Sequence, residues 1–247
     1  MKSHPTRLLI AAVLIAALGS LRAEESQVPA QSGLHGSLIG FVEPTYPFAL
    51  RFRGVTSGFA MVWLTVDPSG SLLDAYATEF SHARFADSSL DAIRQWRFAP
   101  DDSGSTLPRL FSVRFNFSLG GMVVVEVHAS DDLEQSNPFP LARPVFASYS
   151  FEDLDQIPDA LHSPLPAYPE ALKAEMKSGK VEILFHVDKS GRVRVPLVTH
   201  SDDPLFAEAA MAAITKWSFS APKRNGRTAS AFALQRFTFG PRTASNG

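Results

Sequence analysis

The chain has the composition of a globular protein without cysteine. Its 247 residues are 45% hydrophobic, include 19 Phe and carry a formal net charge of -2, which suits one large or two small domains with aromatic cores. The absence of cysteine excludes disulfides, thiolate catalysis and Cys-ligated zinc, and without a long basic stretch we expect no nucleic-acid partner.

The first 23 residues are typical of an export signal. Lys2 and Arg7 precede an apolar run from Leu8 to Leu18, and Ala23 supplies a small residue for cleavage. This run is shorter than the ~20 apolar residues that a membrane-spanning helix needs. We therefore expect a cleaved signal peptide and a periplasmic protein. An inner-membrane anchor formed by residues 8–18 is the alternative.

A short linker over residues 24–43 leads to a first module, predicted over residues 44–128. A Tyr-Pro pair is followed by a short helix and by an alternating strand that ends in the turn Asp67–Gly70. A second strand and an amphipathic helix come next. A strand over residues 111–119 closes the module, and residues 122–127 form an extra strand directly after it.

A second linker, residues 129–163, separates this module from a second one. Its residues 130–140 are acidic and contain Pro, and a strand over residues 145–151 leads into the second module, residues 164–241. The order of elements is again helix, strand, strand, helix, strand. The second helix is predicted to begin at Asp203–Pro204, with Asp as the N-cap and Pro in the first turn.

The two modules are copies of one unit. Matching segments occur in the same order at an offset of 121 or 122 residues, which indicates duplication. We predict an α+β fold of two tandem modules, each a three-stranded antiparallel sheet with two helices on one face. The matching segments are Pro44–Leu50 with Pro166–Leu172, Val66–Gly70 with Val187–Gly191, Ala92–Phe98 with Ala213–Phe219, and Phe115–Phe117 with Phe237–Phe239.

The repeated motifs identify a family. Tyr-Pro followed by Ala-Leu, Gly before an alternating strand, Val-Asp-x-x-Gly and Ala-Ile-x-x-Trp-x-Phe resemble the TonB C-terminal domain over residues 44–119 and 164–240. The resemblance implies a periplasmic module that receives the TonB box of outer-membrane transporters as an added strand.

The chain departs from the full TonB protein in two respects. In place of a long Pro-rich spacer it has Glu24–Glu43, which contains a single Pro and spans at most about 70 Å when extended. Its apolar run also lacks a polar pair of the kind that couples TonB to its proton-driven partners. Strand binding is therefore expected, and energy transduction is left open.

The last strand of each module is the candidate docking edge. Pro196 lies in the second strand of the second module, and Pro in a sheet occurs at edges or bulges. Because the hairpin makes the first strand central, the last strand is the other edge, with main-chain groups available to a guest strand. The candidate partner-binding residues are Phe232, Leu234, Gln235, Arg236, Phe237, Thr238 and Phe239, together with Val113, Arg114 and Phe115.

Two alternatives accompany this prediction. The last strand of the first module could instead pair with the extra strand that follows it and bind nothing. Arg114 and Arg236 occupy matching positions, where they contact either an acidic partner segment or only solvent.

The first strand of the first module is apolar on both faces. Phe59, Met61 and Trp63 lie on the face opposite the predicted core, where the second module carries residues such as Glu182 and His186 that suit water. An apolar face of this kind is covered or forms an interface. We expect the linker strand, the second module or another protein to cover it.

No motif of catalysis is present. The seven His residues show no metal-ligand spacing, and neither a Gly-x-Ser-x-Gly nor a Gly-rich phosphate loop occurs. The Trp and Tyr residues of the repeated motifs are expected to be structural. We predict a protein that is not an enzyme, with no catalytic residue, metal site or cofactor.

The sequence therefore predicts a periplasmic adaptor that binds a partner segment by strand addition. The expected partner is an outer-membrane TonB-dependent receptor or another envelope protein. The alternative is a structural envelope protein that self-associates as a homodimer or contacts peptidoglycan.

Overall fold

The computed structural model describes residues 38–120, 123–129 and 146–240. The predicted signal, residues 24–37 of the first predicted linker and residues 130–145 of the second lie outside these ranges, as does the apolar run that could anchor the chain. Within the described ranges, no helix is long and apolar enough to cross a membrane.

Both modules contain the predicted order of elements, with short additions. The elements of the first module are β1 (Leu38–Gly40), α1 (Phe48–Arg51), β2 (Ser57–Val66), β3 (Leu72–Phe80), α2 (Ala83–Ile93), β4 (Arg97–Phe98), β5 (Arg109–Ser118) and β6 (Val123–Ala129). Those that follow are β7 (Phe146–Ser150), β8 (Ala160–His162), β9 (Gly179–Val187), β10 (Val193–Ser201), α3 (Pro204–Ile214), β11 (Ser218–Phe219), β12 (Lys223–Arg224), β13 (Arg227–Thr228) and β14 (Ser230–Phe239). Two 3-10 helices span Phe151–Asp153 and Glu170–Leu172.

The β2–β3 and β9–β10 hairpins are closed by the turns that the sequence predicts. The carboxylates of Asp67 and Asp188 each accept backbone N–H groups from their own turn at 2.8 Å. Gly70 and Gly191 have φ of +90° and +88°, and an added Cβ at either position would collide with a backbone carbonyl oxygen. Only Gly fits both constraints, which explains why the Val-Asp-x-x-Gly motif occurs twice.

The long helices begin at side-chain caps. The Asp203 carboxylate accepts the backbone N–H of Leu205 at 2.8 Å, and Pro204 lies in the first turn of α3, as predicted. In the first module the cap of α2 is His82, whose Nδ1 accepts the backbone N–H of Arg84 at 3.1 Å. The same helix start is therefore built with different chemistry in the two modules.

The repeated Tyr and Trp residues hold each module together. The Trp96 indole N–H donates to the Val42 carbonyl at 2.8 Å, and that of Trp217 donates to Pro164 at 2.9 Å. The Tyr168 hydroxyl donates to the Lys177 carbonyl at 2.6 Å. These side chains fix the segment that enters each module, which agrees with the structural role expected for them.

Upstream of each Tyr-Pro pair the structure adds a short strand that sequence analysis missed. β1 pairs with β4 and β8 pairs with β11, and the two added strands are themselves 122 residues apart. The duplicated unit therefore begins before residues 44 and 164, the predicted starts of the two modules.

The predicted α+β class with two tandem modules is confirmed, but the two sheets are continuous. β2 lies between β3 and β5, and β9 lies between β10 and β14, as the hairpins require. β7 joins the two sheets, because it pairs antiparallel with the end of β3 and parallel with the start of β14. The result is one eight-stranded sheet in the order β10-β9-β14-β7-β3-β2-β5-β6.

The Pro196 prediction is also confirmed. β10 is a terminal strand of the sheet, and its register shifts between Arg194 and Leu197. Val195 has φ of +41° within this bulge, and a β-branched residue adopts that conformation only under strong local constraint. The bulge makes this end of the sheet a poor template for another strand.

Candidate partner-binding edge

β14 is paired along its whole length on one side only. Residues Ala231–Phe239 pair with β9, whereas β7 pairs on the other side with Ser230–Phe232 alone. Among the described residues, no strand lies beside Ala233–Phe239 on that second side. We call these seven residues the open edge.

The main chain of the open edge presents alternate residues to solvent. Along an antiparallel strand, successive residues direct their N–H and C=O groups to opposite sides. The Gln235 side-chain amide donates to the Arg236 carbonyl at 2.8 Å, and the Glu182 carbonyl opposite Arg236 accepts from Thr199 on β10 rather than from β14. Both contacts indicate that the main-chain N–H and C=O groups of Arg236 point away from β9. By the same alternation, those of Leu234 and Thr238 also point away from β9.

The side chains of the open edge divide between the two faces of the sheet. Phe237 and Phe239 are buried under α3, and the Phe239 ring stacks on Phe206 with centroids 4.5 Å apart. Leu234 is 54% exposed on the opposite face. Because the main-chain groups of Phe237 and Phe239 point toward β9, these two predicted partner-binding residues support the edge from the core and do not themselves pair with a guest strand.

Arg236 is held by its own sheet. Its Nε donates to Glu182 Oε1 at 2.8 Å, across the β9–β14 pair. The guanidinium is largely exposed, and an exposed ion pair contributes little to folding stability. A partner carboxylate can therefore replace Glu182 at small cost.

The matching strand of the first module has no free edge. Val113 pairs with Val62 of β2 on one side and with Val127 of β6 on the other. The expectation that Val113, Arg114 and Phe115 offer their main chain to a guest strand is corrected here. β6 follows β5 after a loop of four residues, and closing so short a hairpin costs little chain entropy.

Arg114 differs from Arg236 in its surroundings. Its side chain is buried, its Cζ lies 4.1 Å from the centre of the Phe59 ring, and its Nε donates to Asn116 Oδ1 at 3.2 Å. A guanidinium stacked on an aromatic face is a stabilising cation–π contact. Arg114 is therefore shielded from solvent, and its guanidinium covers Phe59.

The rest of the apolar face of β2 meets the second module. Trp63 packs edge-on against His186 with ring centres 5.1 Å apart, and Met61 lies half-buried beside it on the same strand. His186, which sequence analysis placed in water, is buried. Burial disfavours the charged imidazolium and lowers the pKa of His186 to about 4.

A polar network joins the modules around this histidine. The Tyr76 hydroxyl donates to Ser230 Oγ at 2.6 Å, and Ser148 Oγ lies 3.2 Å from both Ser230 Oγ and His186 Nδ1. These four residues come from β3, β14, β7 and β9. No sequence signal marks the network, because its members lie far apart in the chain.

A bidentate ion pair also joins the two modules beside this polar network. We call this contact region between the modules the junction. Arg194 Nε and Nη2 donate to the two carboxylate oxygens of Asp74 at 2.9 and 2.6 Å, and the backbone N–H of Val195 donates to the same carboxylate. The bulge at Val195 therefore turns β10 toward the first module. Fork-to-carboxylate pairing of this kind fixes geometry as well as adding energy.

The described residues do not assemble a metal centre. Within residues 38–120, 123–129 and 146–240, no group of three or more His, Asp or Glu residues is positioned to hold a metal ion. The Ser148–His186 contact lies between the two modules, with His186 buried and Ser148 half-buried.

Comparison with known proteins agrees with the duplication. The family described as "Gram-negative bacterial TonB protein C-terminal" matches residues 42–119 and 164–241, more than half of the chain. A comparison with curated proteins finds no match.

Among solved structures, the chain is similar to the C-terminal domain of Pseudomonas aeruginosa TonB determined in solution by NMR. The identity is 26% and the TM-score 0.29, over 34% of this chain and 89% of that one. The matched family segments contain both hairpins, both long helices and both closing strands. The chain belongs to the TonB C-terminal domain family and carries two tandem copies of that domain.

Proposed function

We propose that the protein is a TonB-like adaptor of the cell envelope that binds an extended partner segment on the open edge of β14. The observation that carries this proposal is the one-sided pairing of Ala233–Phe239. Outward N–H and C=O groups at Leu234, Arg236 and Thr238 can pair with a guest strand. The protein then works in the periplasm, either free or held at the inner membrane, as its family does.

The side chains of the open edge indicate which residues a guest strand should carry. Side chains on the exposed face of the guest strand would lie beside Leu234 and Arg236, so an apolar residue and a carboxylate two positions apart suit it. The partner class that the family favours is an outer-membrane TonB-dependent receptor, whose periplasmic segment would supply the strand. The binding register is limited to seven residues, because β7 occupies the edge up to Phe232.

A proline substitution tests the main-chain contacts. Leu234→Pro removes an N–H group that faces the open edge, whereas Leu234→Thr changes the same side chain and keeps that N–H. We expect Leu234→Pro to abolish binding of receptor-derived peptides, measured by calorimetry, and Leu234→Thr to retain it. Because Leu234 N–H makes no bond to β9, both variants should fold, which circular dichroism checks.

The opposite results have defined meanings. Equal peptide binding by both variants would show that the open edge is not the docking site. A peptide-independent dimer that Leu234→Pro dissociates and Leu234→Thr preserves would instead favour self-association through the same edge.

A further inference from the structure

The first module exposes an aromatic pair on the turn that follows its Tyr-Pro motif. Phe48 and Phe52 are 64% and 78% exposed, and their rings meet edge-to-face with centres 5.0 Å apart. Leu50, on the opposite side of α1, is fully buried in the core. The turn is therefore fixed from within and presents two rings outward. We call Phe48–Arg53 the aromatic turn.

The aromatic turn is also basic. Arg51 and Arg53 are exposed, and they are the only charged residues between Glu43 and Asp67. Two cations thus flank two exposed rings with no acidic residue nearby in the chain. Such a surface is complementary to an anionic one.

The second module shows that the fold does not require these residues. At the offset of 122 residues, Phe48 corresponds to Glu170, Phe52 to Ala174 and Arg53 to Glu175. The core residue is kept, because Leu172 replaces Leu50 and is also buried. Exposed Phe on a conserved scaffold costs solubility, so a binding role accounts for it better than folding does.

We propose that the aromatic turn is a contact site for an anionic lipid bilayer. The Phe48 ring projects from the four-residue helix α1 and the Phe52 ring from its C-cap, and a projecting pair of exposed rings suits insertion among lipid headgroups. The Arg side chains then lie at the level of the phosphates, where each gains from the negative surface potential. An acidic protein segment would need a receiving groove to exclude water around the rings.

The short segment between the apolar run and β1 also favours a lipid bilayer as the ligand of the aromatic turn. The apolar run ends at Leu18, and residues 19–37 separate it from β1, so a chain held in the inner membrane keeps the start of the fold within about 70 Å of that surface. A weak contact suffices at the high local concentration that such a tether gives.

Vesicle sedimentation tests the site without the anchor. The chain beginning at Glu24 keeps every described residue, and it is mixed with vesicles of phosphatidylglycerol and phosphatidylethanolamine or of phosphatidylcholine alone. We expect binding to the anionic vesicles only, reduced about tenfold by Phe48→Glu with Phe52→Ala, the residues of the second module. Arg51→Gln with Arg53→Gln should remove the preference for anionic lipid and its dependence on salt.

A matched control uses the exposed apolar residues of the other module. Leu161 and Leu165 are 69% and 81% exposed but have no flanking cations, so Leu161→Ala with Leu165→Ala should leave vesicle binding unchanged. Equal vesicle binding by the wild type and the Phe variant would overturn the proposal. So would chemical-shift changes at the aromatic turn on adding poly-glutamate but not vesicles, which would assign the site to an acidic protein segment. Peptide binding at the open edge is independent of both results.

Discussion

The closing strands of the two modules are matching copies in the sequence but are paired differently in the fold. β5 and β14 share their aromatic alternation and a matching arginine, at Arg114 and Arg236. β5 is paired on both sides and buries its arginine on Phe59, whereas β14 is open beyond Phe232 and exposes its arginine. Whether the edge of a closing strand is free depends on which other strands pair with it, and not on the closing strand itself.

The same comparison explains why the modules stay together. β6 removes one edge of the first module, and β7 bridges its other edge to the second module. One of the two potential docking strands has thus become scaffold, and the remaining one is held at a defined place in an eight-stranded sheet. Duplication in this protein has produced one candidate site and its support rather than two sites.

The largest effect should come from the core beneath the scaffold strand. Phe115 is fully buried between β2, α2 and Trp96, and Phe115→Ala should cost about 3–5 kcal/mol in the free energy of unfolding. Leu234→Ala on the open edge should change it by less than about 0.5 kcal/mol. Urea titration of both variants measures the contrast. Similar losses would mean that the open edge is packed against something in solution.

Acid should weaken the junction by the next largest amount. The pKa of His186 is about 4 in the folded protein, below the usual 6.5, so the unfolded chain binds the extra proton. Stability is therefore full above pH 6.5 and falls as the pH drops toward 4, by roughly 2–3 kcal/mol at pH 4.5.

His186→Gln separates this contribution from general acid unfolding. It should flatten the pH dependence between 6.5 and 4.5, measured by urea titration at several pH values. His200→Gln is the control, because His200 is exposed beside Asp202 at the end of β10. An unchanged slope in His186→Gln would show that the imidazole is not buried in the junction.

The two arginines should differ by a smaller amount. Arg114→Met removes a desolvated cation–π contact and should cost about 2 kcal/mol. Arg236→Met breaks only an exposed ion pair with Glu182 and should cost less than about 1 kcal/mol. Thermal unfolding of both variants tests the ranking. A larger loss for Arg236→Met would reverse the assignment of scaffold and open strand.

The parts of the fold that the sequence predicts are those with local causes. The Asp-x-x-Gly turns, the Asp203 cap and the bulge at Pro196 depend on a few neighbouring residues, and the internal repeat supplies the turn pattern twice. The sequence of β5 does not indicate whether its edge is free or covered, because a strand paired with β6 and a strand with an open edge have the same alternating pattern.

The junction could not be predicted for the opposite reason. Asp74 and Arg194 are 120 residues apart, and Tyr76 and Ser230 are 154 apart, so no local pattern connects them. His186 alternates in β9 as a solvent-facing residue would, and it is buried because Trp63, Tyr76 and Phe232 pack around it. The strand is predicted correctly, but long-range packing buries a face that its own sequence assigns to solvent.

The smallest effect on stability should accompany the sharpest difference in binding. Asn116 on β5 and Thr238 on β14 are matching positions 122 residues apart, and the chain has no native cysteine. We expect Thr238→Cys to form a disulfide with a Cys-bearing receptor peptide and Asn116→Cys to form none, because β6 fills the place beside Asn116. Mass spectrometry of the cross-linked product measures both, with unfolding midpoints near that of the wild type. Cross-linking at Asn116 would mean that a guest displaces β6 and that both copies keep the capacity to bind a strand.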